Sequence, residues 1–277
     1  MWTKHAINQK LLVPHQQVEI IIPRLFMGKK YIFMDQMRIV DRLKHLLYVR
    51  EKYDVIIFNS YNTLSFFFIL LVNVFSVNKL YIAIESDTQL LMPKNYLKRS
   101  IKYFYLSFVF QNNRVFGLAG GNYSHKYLFR HYGMKEDRIF LMPMMVDNSK
   151  FYVEKKILPK PFTFLFVGRL VSFKNVEHLI QQFNIIFSDK DAVLKIVGDG
   201  NQGQYLIDKY TSEKVIFKGK KFNKELITEY LSASCFVCPS LFEPWGLVVN
   251  EALSAGLPVI ARKEVGACLD LINGNQT

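Results

Sequence analysis

Short apolar runs alternate along this chain with longer stretches in which apolar residues recur every three or four positions. That alternation is the signature of βαβ units built around parallel sheets. In the first half the runs predict strands at Val18–Ile22, Asp54–Asn59, Lys79–Ile84, Arg114–Leu118 and Arg138–Met142. Helices are predicted between them, over about 35–52, 62–76, 94–110 and 122–132. In Asp35–Lys52, the residues Met37, Ile39, Val40, Leu43, Leu46 and Leu47 keep a helical spacing with basic residues between them. Met144–Pro161 is polar, has no clear period and carries Pro159 and Pro161, so it reads as a linker. The alternation then restarts, with strands at Phe162–Val167, Val193–Val197, Val215–Phe217, Cys235–Pro239 and Pro258–Ala261. Helices should begin at Asn175, near Gln202, at Lys224 and at Leu247. Two Rossmann-like domains in series are expected, 1–148 and 149–277, in an α/β fold.

Half of the 277 residues are hydrophobic, enough for a sizeable core, which excludes disordered and collagen-like chains. The longest apolar run, Leu64–Val77, is 14 residues and includes Ser65, Asn73 and Ser76. A bilayer span needs about 20 apolar residues, so this run reads as a buried helix. Met1–Lys10 lacks the apolar core of a signal peptide. Three cysteines are too few for a disulfide framework, which points to a reducing cytoplasm. Cys235 and Cys238 form a C-x-x-C, but on a strand residues three apart face opposite ways, so two core thiols are expected. The six histidines show no metal-binding spacing and read as surface or core.

Charge is unevenly placed. Residues 1–150 hold 21 Lys+Arg against 10 Asp+Glu, and residues 151–277 hold 15 against 13. A net +11 in the first part suits an anionic membrane surface or substrate, or is simply a solvated face. No nucleic-acid-binding module accompanies it, so no nucleic-acid partner is expected.

The richest constellation is Pro239-Ser240-Leu241-Phe242-Glu243-Pro244-Trp245-Gly246-Leu247-Val248-Val249-Asn250-Glu251, running from a strand end through a loop into a helix. Strand ends of this kind face the ligand crevice in a parallel α/β domain. A helix N-terminus there offers free N–H groups to a diphosphate, and Gly246 lets the backbone approach closely. Glu243 and Glu251 flank that position and can accept hydrogen bonds from sugar and ribose hydroxyls. A second constellation, Gly168-Arg169-Leu170-Val171-Ser172-Phe173-Lys174, also lies where strand gives way to helix. Gly168 permits a tight turn, while Arg169 and Lys174 can both reach a diphosphate.

The seven-residue gap between Glu243 and Glu251 is similar to the E-x7-E motif of retaining GT-B glycosyltransferases, and Glu251-Ala252 through Gly256-Leu257-Pro258 resembles their family 4. Gly168–Lys174 looks like that family's G-R-L-x-x-x-K element. The resemblance covers about 18–272 and is strongest over 162–262. It implies a GT-B fold with the active site in the cleft between two Rossmann-like domains, and transfer of a hexose from a nucleoside diphosphate to a hydroxyl with retention. Glu243 would touch the donor sugar, and Gly246, Leu247 and Val248 would hold phosphates and sugar through backbone N–H groups. Glu251 would take the ribose, and Arg169 and Lys174 would neutralise the leaving diphosphate. Lys221, in Phe217-Lys218-Gly219-Lys220-Lys221, would lie near the base or simply be exposed. No metal or other cofactor is expected, because these cations already serve.

Other elements leave alternatives open. Val197-Gly198-Asp199-Gly200 serves equally as crevice lining or as a turn. Glu85 and Asp87 follow a strand and are candidates on the acceptor side, against a helix N-cap by Ser86 or Asp87. Relatives often carry a His at about the position of Glu85. Gly120-Gly121-Asn122 suits an anion site, though a turn with Asn122 as cap accounts for it better. The family's opening Gly-Gly loop and its closing strand and helices have no counterpart here, so truncation at both ends is expected. The expected partners are a nucleotide-sugar and a lipid-linked or saccharide acceptor, at the cytoplasmic face of the membrane. The rival expectation is a non-catalytic nucleotide-sugar-binding or scaffold subunit.

Overall fold

The computed structural model describes residues 12–13, 32–33, 38–52, 54–76, 80–151 and 159–272. The expected strand at Val18–Ile22 lies outside them. The chain divides into two compact units, Met1–Ile84 and Glu85–Thr277.

In the first unit β1 (Leu12–Val13) pairs in parallel with β2 (Ile32–Phe33). Helix α1 (Ile39–Lys52), β3 (Val55–Phe58), α2 (Leu64–Phe75) and β4 (Tyr81–Ser86) follow, β4 running on by two residues into the second unit. The strands β3 and β4 pair in parallel from Val55–Tyr81 to Phe58–Ile84. Thr63 starts α2, its hydroxyl accepting from Phe66 N at 3.2 Å, which satisfies one of the orphan donors of a helix start. Buried Asn73, in the last turn of α2, bonds to Leu80. Its amide donates to Leu80 O at 2.9 Å and its carbonyl accepts from Leu80 N at 2.8 Å, so both ends of its side-chain amide are partnered.

The second unit continues with α3 (Tyr96–Gln111), β5 (Val115–Ala119), α4 (Lys126–His131) and β6 (Ile139–Leu141), β5 and β6 pairing in parallel. Asn95 caps α3, and Leu106, Val109 and Phe110 form its buried face. Next comes a five-stranded parallel sheet of β7 (Phe162–Val167), β8 (Ala192–Val197), β9 (Val215–Gly219), β10 (Cys235–Cys238) and β11 (Val259–Ala261), in the order β11-β10-β7-β8-β9. Its helices are α5 (Val176–Ile186), α6 (Gly203–Tyr210), α7 (Asn223–Leu231), α8 (Leu247–Ser254) and α9 (Gly266–Leu271). Successive strand residues point to opposite faces, and both faces are packed. Leu165, Val197 and Phe236 join one core with Tyr230, Val249 and Ala252, whereas Phe166, Leu194 and Ile196 join another with Ile180, Phe183 and Leu206.

All four residues of β10 are buried, and Cys235 and Cys238 are free thiols in it, as expected of core cysteines. Helix α9 was not foreseen, and the second compact unit, Glu85–Thr277, contains residues on both sides of position 148. Within it, hydrogen bonds tie residues 89–144 to residues 243–270, as described next.

Candidate active site

The loops at the C-terminal ends of the central strands are tied together through their backbones. Beyond β7, Gly168 N donates to Val197 O at 3.0 Å and Leu170 N to Asp199 O at 2.9 Å, while Gln202 N donates back to Leu170 O at 2.9 Å. Gly198 has φ +143, and a Cβ there would lie 1.8 Å from Gly168 O, so only glycine lets the two loops meet. The Val197–Gly200 segment is therefore a bracing turn under Gly168–Leu170.

Past that turn, Ser172–Lys174 form a short 3-10 helix, and Asn175 in the left-handed region (φ 57) redirects the chain into α5. This brings the Lys174 ammonium inward onto the Glu243 carboxylate as an ion pair, with the two side chains only 10% and 16% exposed. The residues are 69 positions apart and belong to the two separate motifs. Phe173 presents its ring to both cations. The Arg169 guanidinium is 5.8 Å and the Lys174 ammonium 5.7 Å from its centroid, within cation–π range. Phe173 O also accepts from Leu241 N at 2.8 Å, fastening the loops to one another. Arg169 itself is exposed.

Glu243 forms a parallel bridge with Val265, and its carbonyl accepts from Gly266 N at 3.0 Å. A Cβ on Gly266 would sit 2.0 Å from Pro244 O, so this approach too requires glycine. Gly246 (φ +96) turns the chain into α8, whose first residues are Leu247 and Val248. First-turn N–H groups have no partner within a helix and carry its partial positive charge. One turn on, Glu251 accepts from Tyr230 Oη at 2.6 Å. Burial pushes the Glu251 carboxyl above the usual carboxylate range, the Tyr230 bond opposing it. The Tyr230 hydroxyl is itself pushed up, by burial first and then by the Glu251 charge.

The remaining expected residues fall out as follows. Glu85, next to last in β4, is half-buried, and burial, with Asp87 adding, raises its pKa above the ordinary carboxylate value. Asp87 is exposed. Neither Ser86 nor Asp87 caps a helix: the Ser86 hydroxyl accepts from Thr88 N at 3.2 Å in a turn, and the next helix begins only at Tyr96. Lys221 makes a local ion pair with Glu225 at 3.6 Å, at the start of α7.

Gly120–Asn122 does receive an anion, and the anion is internal. Asp270 of α9 accepts from Asn122 N (2.6 Å), Tyr123 N (2.9 Å), Ser124 N (3.2 Å) and Ser124 Oγ (2.8 Å). Asn122 caps no helix; α4 begins at Lys126 without a side-chain cap.

Several residues that touch the Glu243 loop carry no motif. Gln89 Nε2 donates to Glu243 O at 2.8 Å and lies 3.2 Å from Pro244 O and 3.3 Å from Glu264 O. His125, fully buried, sets its Nε2 2.9 Å from Pro244 O and its ring 5.5 Å from that of Trp245. Burial holds its pKa below the ordinary histidine value, against raising contributions from Pro244 O, Asp87 and Asp270. Trp245 Nε1 donates to Asn250 Oδ1 at 2.8 Å, and Asn250 Nδ2 to Met144 O at 3.0 Å. Backbone carbonyls are the same in every residue, so no sequence pattern marks the side chains that grip them. Among the described residues, no group of three or more His, Cys, Asp or Glu side chains is arranged to hold a metal ion. No helix among them is long and apolar enough to cross a membrane.

Residues 147–277 match the family model of glycosyl transferases group 1. An uncharacterized glycosyltransferase of Methanocaldococcus jannaschii is 38% identical over 112 residues, covering 39% of this chain and 28% of its own. The GDP-mannose-dependent alpha-mannosyltransferase of Corynebacterium glutamicum is 39% identical over 108 residues, 39% of this chain and 24% of its own. The matched part thus spans less than a third of either relative. In three dimensions the chain is similar to a glycosyltransferase of Rickettsia africae (TM-score 0.65, 17% identity, 88% of this chain and 69% of that one). It is also similar to Anabaena HepE solved with UDP and glucose (TM-score 0.60, 15% identity, 88% and 70%). These likenesses, with the parallel sheets, define the architecture as an α/β fold of the GT-B glycosyltransferase type.

Proposed function

We propose that the chain is a retaining hexosyltransferase of family 4 type, moving a sugar from a nucleoside diphosphate to a hydroxyl acceptor in surface polysaccharide or glycolipid synthesis. The observation that carries this reading is the Lys174–Glu243 ion pair, which joins the two motifs beside the start of α8. In this reading Gly168, Arg169, Lys174 and the first amides of α8, from Gly246 through Leu247 and Val248, hold the diphosphate. Fixed cations then stabilise the charge that grows on it in the transition state. Glu243 orients the sugar, Glu251 the ribose, and Lys221 lies towards the base. The bond from the anomeric carbon to the phosphate oxygen breaks as the bond to the acceptor oxygen forms on the same face. The acceptor proton passes to the departing phosphate oxygen. Glu85 and Asp87 face the acceptor, and no metal ion is required.

The C. glutamicum relative is named for GDP-mannose and the Anabaena neighbour was solved with UDP and glucose, which supports a nucleotide-sugar donor. A lipid-linked or saccharide acceptor at the cytoplasmic face of an anionic membrane suits α3, where Leu97, Ile101, Phe104 and Phe108 form an exposed stripe beside exposed Lys94, Lys98 and Arg99. Flotation with phosphatidylglycerol vesicles should exceed that with neutral vesicles; equal flotation removes the membrane part.

The test of the donor site is calorimetric titration with nucleoside diphosphates and nucleotide-sugars, beside Lys174→Ala and Glu251→Ala. One nucleotide-sugar should bind saturably, and each substitution should weaken it about tenfold or more. Binding without turnover in any acceptor screen would favour the non-catalytic subunit. A folded chain that binds none would remove the donor reading.

A further inference from the structure

Glu243 reaches the sugar position only as far as its backbone is aimed there, and the groups that aim it come from three directions. From the start of α9, Gly266 N holds the Glu243 carbonyl. From the segment following β4, Gln89 Nε2 lies among the carbonyl oxygens of Glu243, Pro244 and Glu264, at 2.8, 3.2 and 3.3 Å. Three acceptors can be faced only by the donating end of an amide, which fixes the orientation of Gln89. From the start of α4, His125 sets Nε2 2.9 Å from the Pro244 carbonyl, so the ring must carry its proton there to donate. Its Nδ1 is buried without a hydrogen-bond partner, which leaves the Pro244 bond as the polar contact that orients the ring.

We propose that Gln89 and His125 are positioning residues for the donor sugar, an inference that rests on the glycosyltransferase reading above. They act through two successive carbonyls, at 243 and 244, and so set the aim of the Glu243 carboxylate. Glu251 takes its own bearing from Tyr230 on α7 and does not depend on them. The nucleotide and the sugar are thus positioned by separate parts of the chain. Gln89 sits four residues beyond Glu85, in the loop that leaves β4.

The experiment compares UDP with UDP-glucose and GDP with GDP-mannose by calorimetry, on the full chain. In the wild type one nucleotide-sugar should bind more tightly than its free diphosphate, the difference being the sugar's contribution. Gln89→Glu has nearly the same shape but turns an oxygen towards three carbonyl oxygens, and Gln89→Leu removes the donor. Both should abolish the sugar's contribution, a loss of about tenfold, and leave diphosphate affinity within about twofold. His125→Phe should do the same, and His125→Gln, whose amide reaches the place of Nε2, should restore it. Full retention of the sugar's contribution in the Gln89 variants, or an equal fall for diphosphate and nucleotide-sugar, overturns the positioning role. Failure of the wild type to bind any nucleotide overturns the glycosyltransferase reading and this inference with it.

Discussion

Residues 159–272 and residues 38–151 are built from the same alternation of strand and helix, but they close their surfaces to different degrees. In the later region every residue of β10 is buried, and its sheet feeds two separate cores. In the earlier one Val55 and Ile57 of β3 are exposed, as are Leu64, Phe67, Leu71 and Phe75 of α2 and the stripe on α3. The later region is also where loops touch backbone to backbone, at contacts only glycine allows. Precise placement of reacting groups asks for that kind of closure. Exposed apolar faces suit partners instead. The comparison places the close packing in the later region and the exposed apolar surface in the earlier one.

The largest effect expected from that difference is at Gly198. A Cβ placed 1.8 Å from Gly168 O at φ +143 forces the two loops apart, so Gly198→Ala should cost about 3 kcal/mol in urea unfolding and displace Arg169. Phe104→Ser on α3 should change stability by no more than about 0.5 kcal/mol, as exposed sites do. If Phe104→Ser unfolds the chain as readily as Gly198→Ala, the contrast between the two regions is wrong.

A smaller effect sharpens it at Asp270. Asp270→Asn removes the charge that four donors share and turns an amide donor towards one of them, which should cost about 1–3 kcal/mol. Hydrogen exchange should then quicken at Asn122–Ser124 before it quickens in β10.

The smallest effect is a pH dependence. The folded-state pKa of His125 lies below the ordinary value of 6.5, so above that pH the ring is neutral in folded and unfolded chains alike. As pH falls through 6.5 the unfolded chain takes up the proton first, and stability declines until the folded pKa is passed. The melting temperature should therefore drop more for wild type than for His125→Gln between about pH 7.5 and 5.5. A larger drop in the variant would show that His125 is not held neutral.

Legibility in the sequence followed the same division. The strand Phe162–Val167 was read to the residue, and each later strand, and each helix start but that of α9, to within one or two, because both-sided burial writes continuous apolar runs. The resemblance placed Lys174 and Glu243 at one donor site, but their ion pair was not foreseen. What escaped was contact made through backbone: Gln89 on three carbonyls, His125 on one, Asp270 on three amides. Such contacts leave no compositional trace, since any residue could stand at the other end. The Gly120-Gly121-Asn122 segment shows the limit well. An anion site there was set below a turn capped by Asn122, and that the anion is Asp270 depended on a helix, α9, too short to show a period.

Trp245 gives the loop at the centre of this arrangement an optical voice of its own. Its indole is buried, hydrogen-bonded to Asn250 and beside the imidazole of His125. The chain has only one other tryptophan, Trp2, so in a Trp2→Phe background all indole emission comes from position 245. A protonated imidazole quenches a neighbouring indole, whereas a neutral one does so weakly. The emission intensity then reports, without label or crystal, how the loop that carries Glu243 is seated at each moment of a titration.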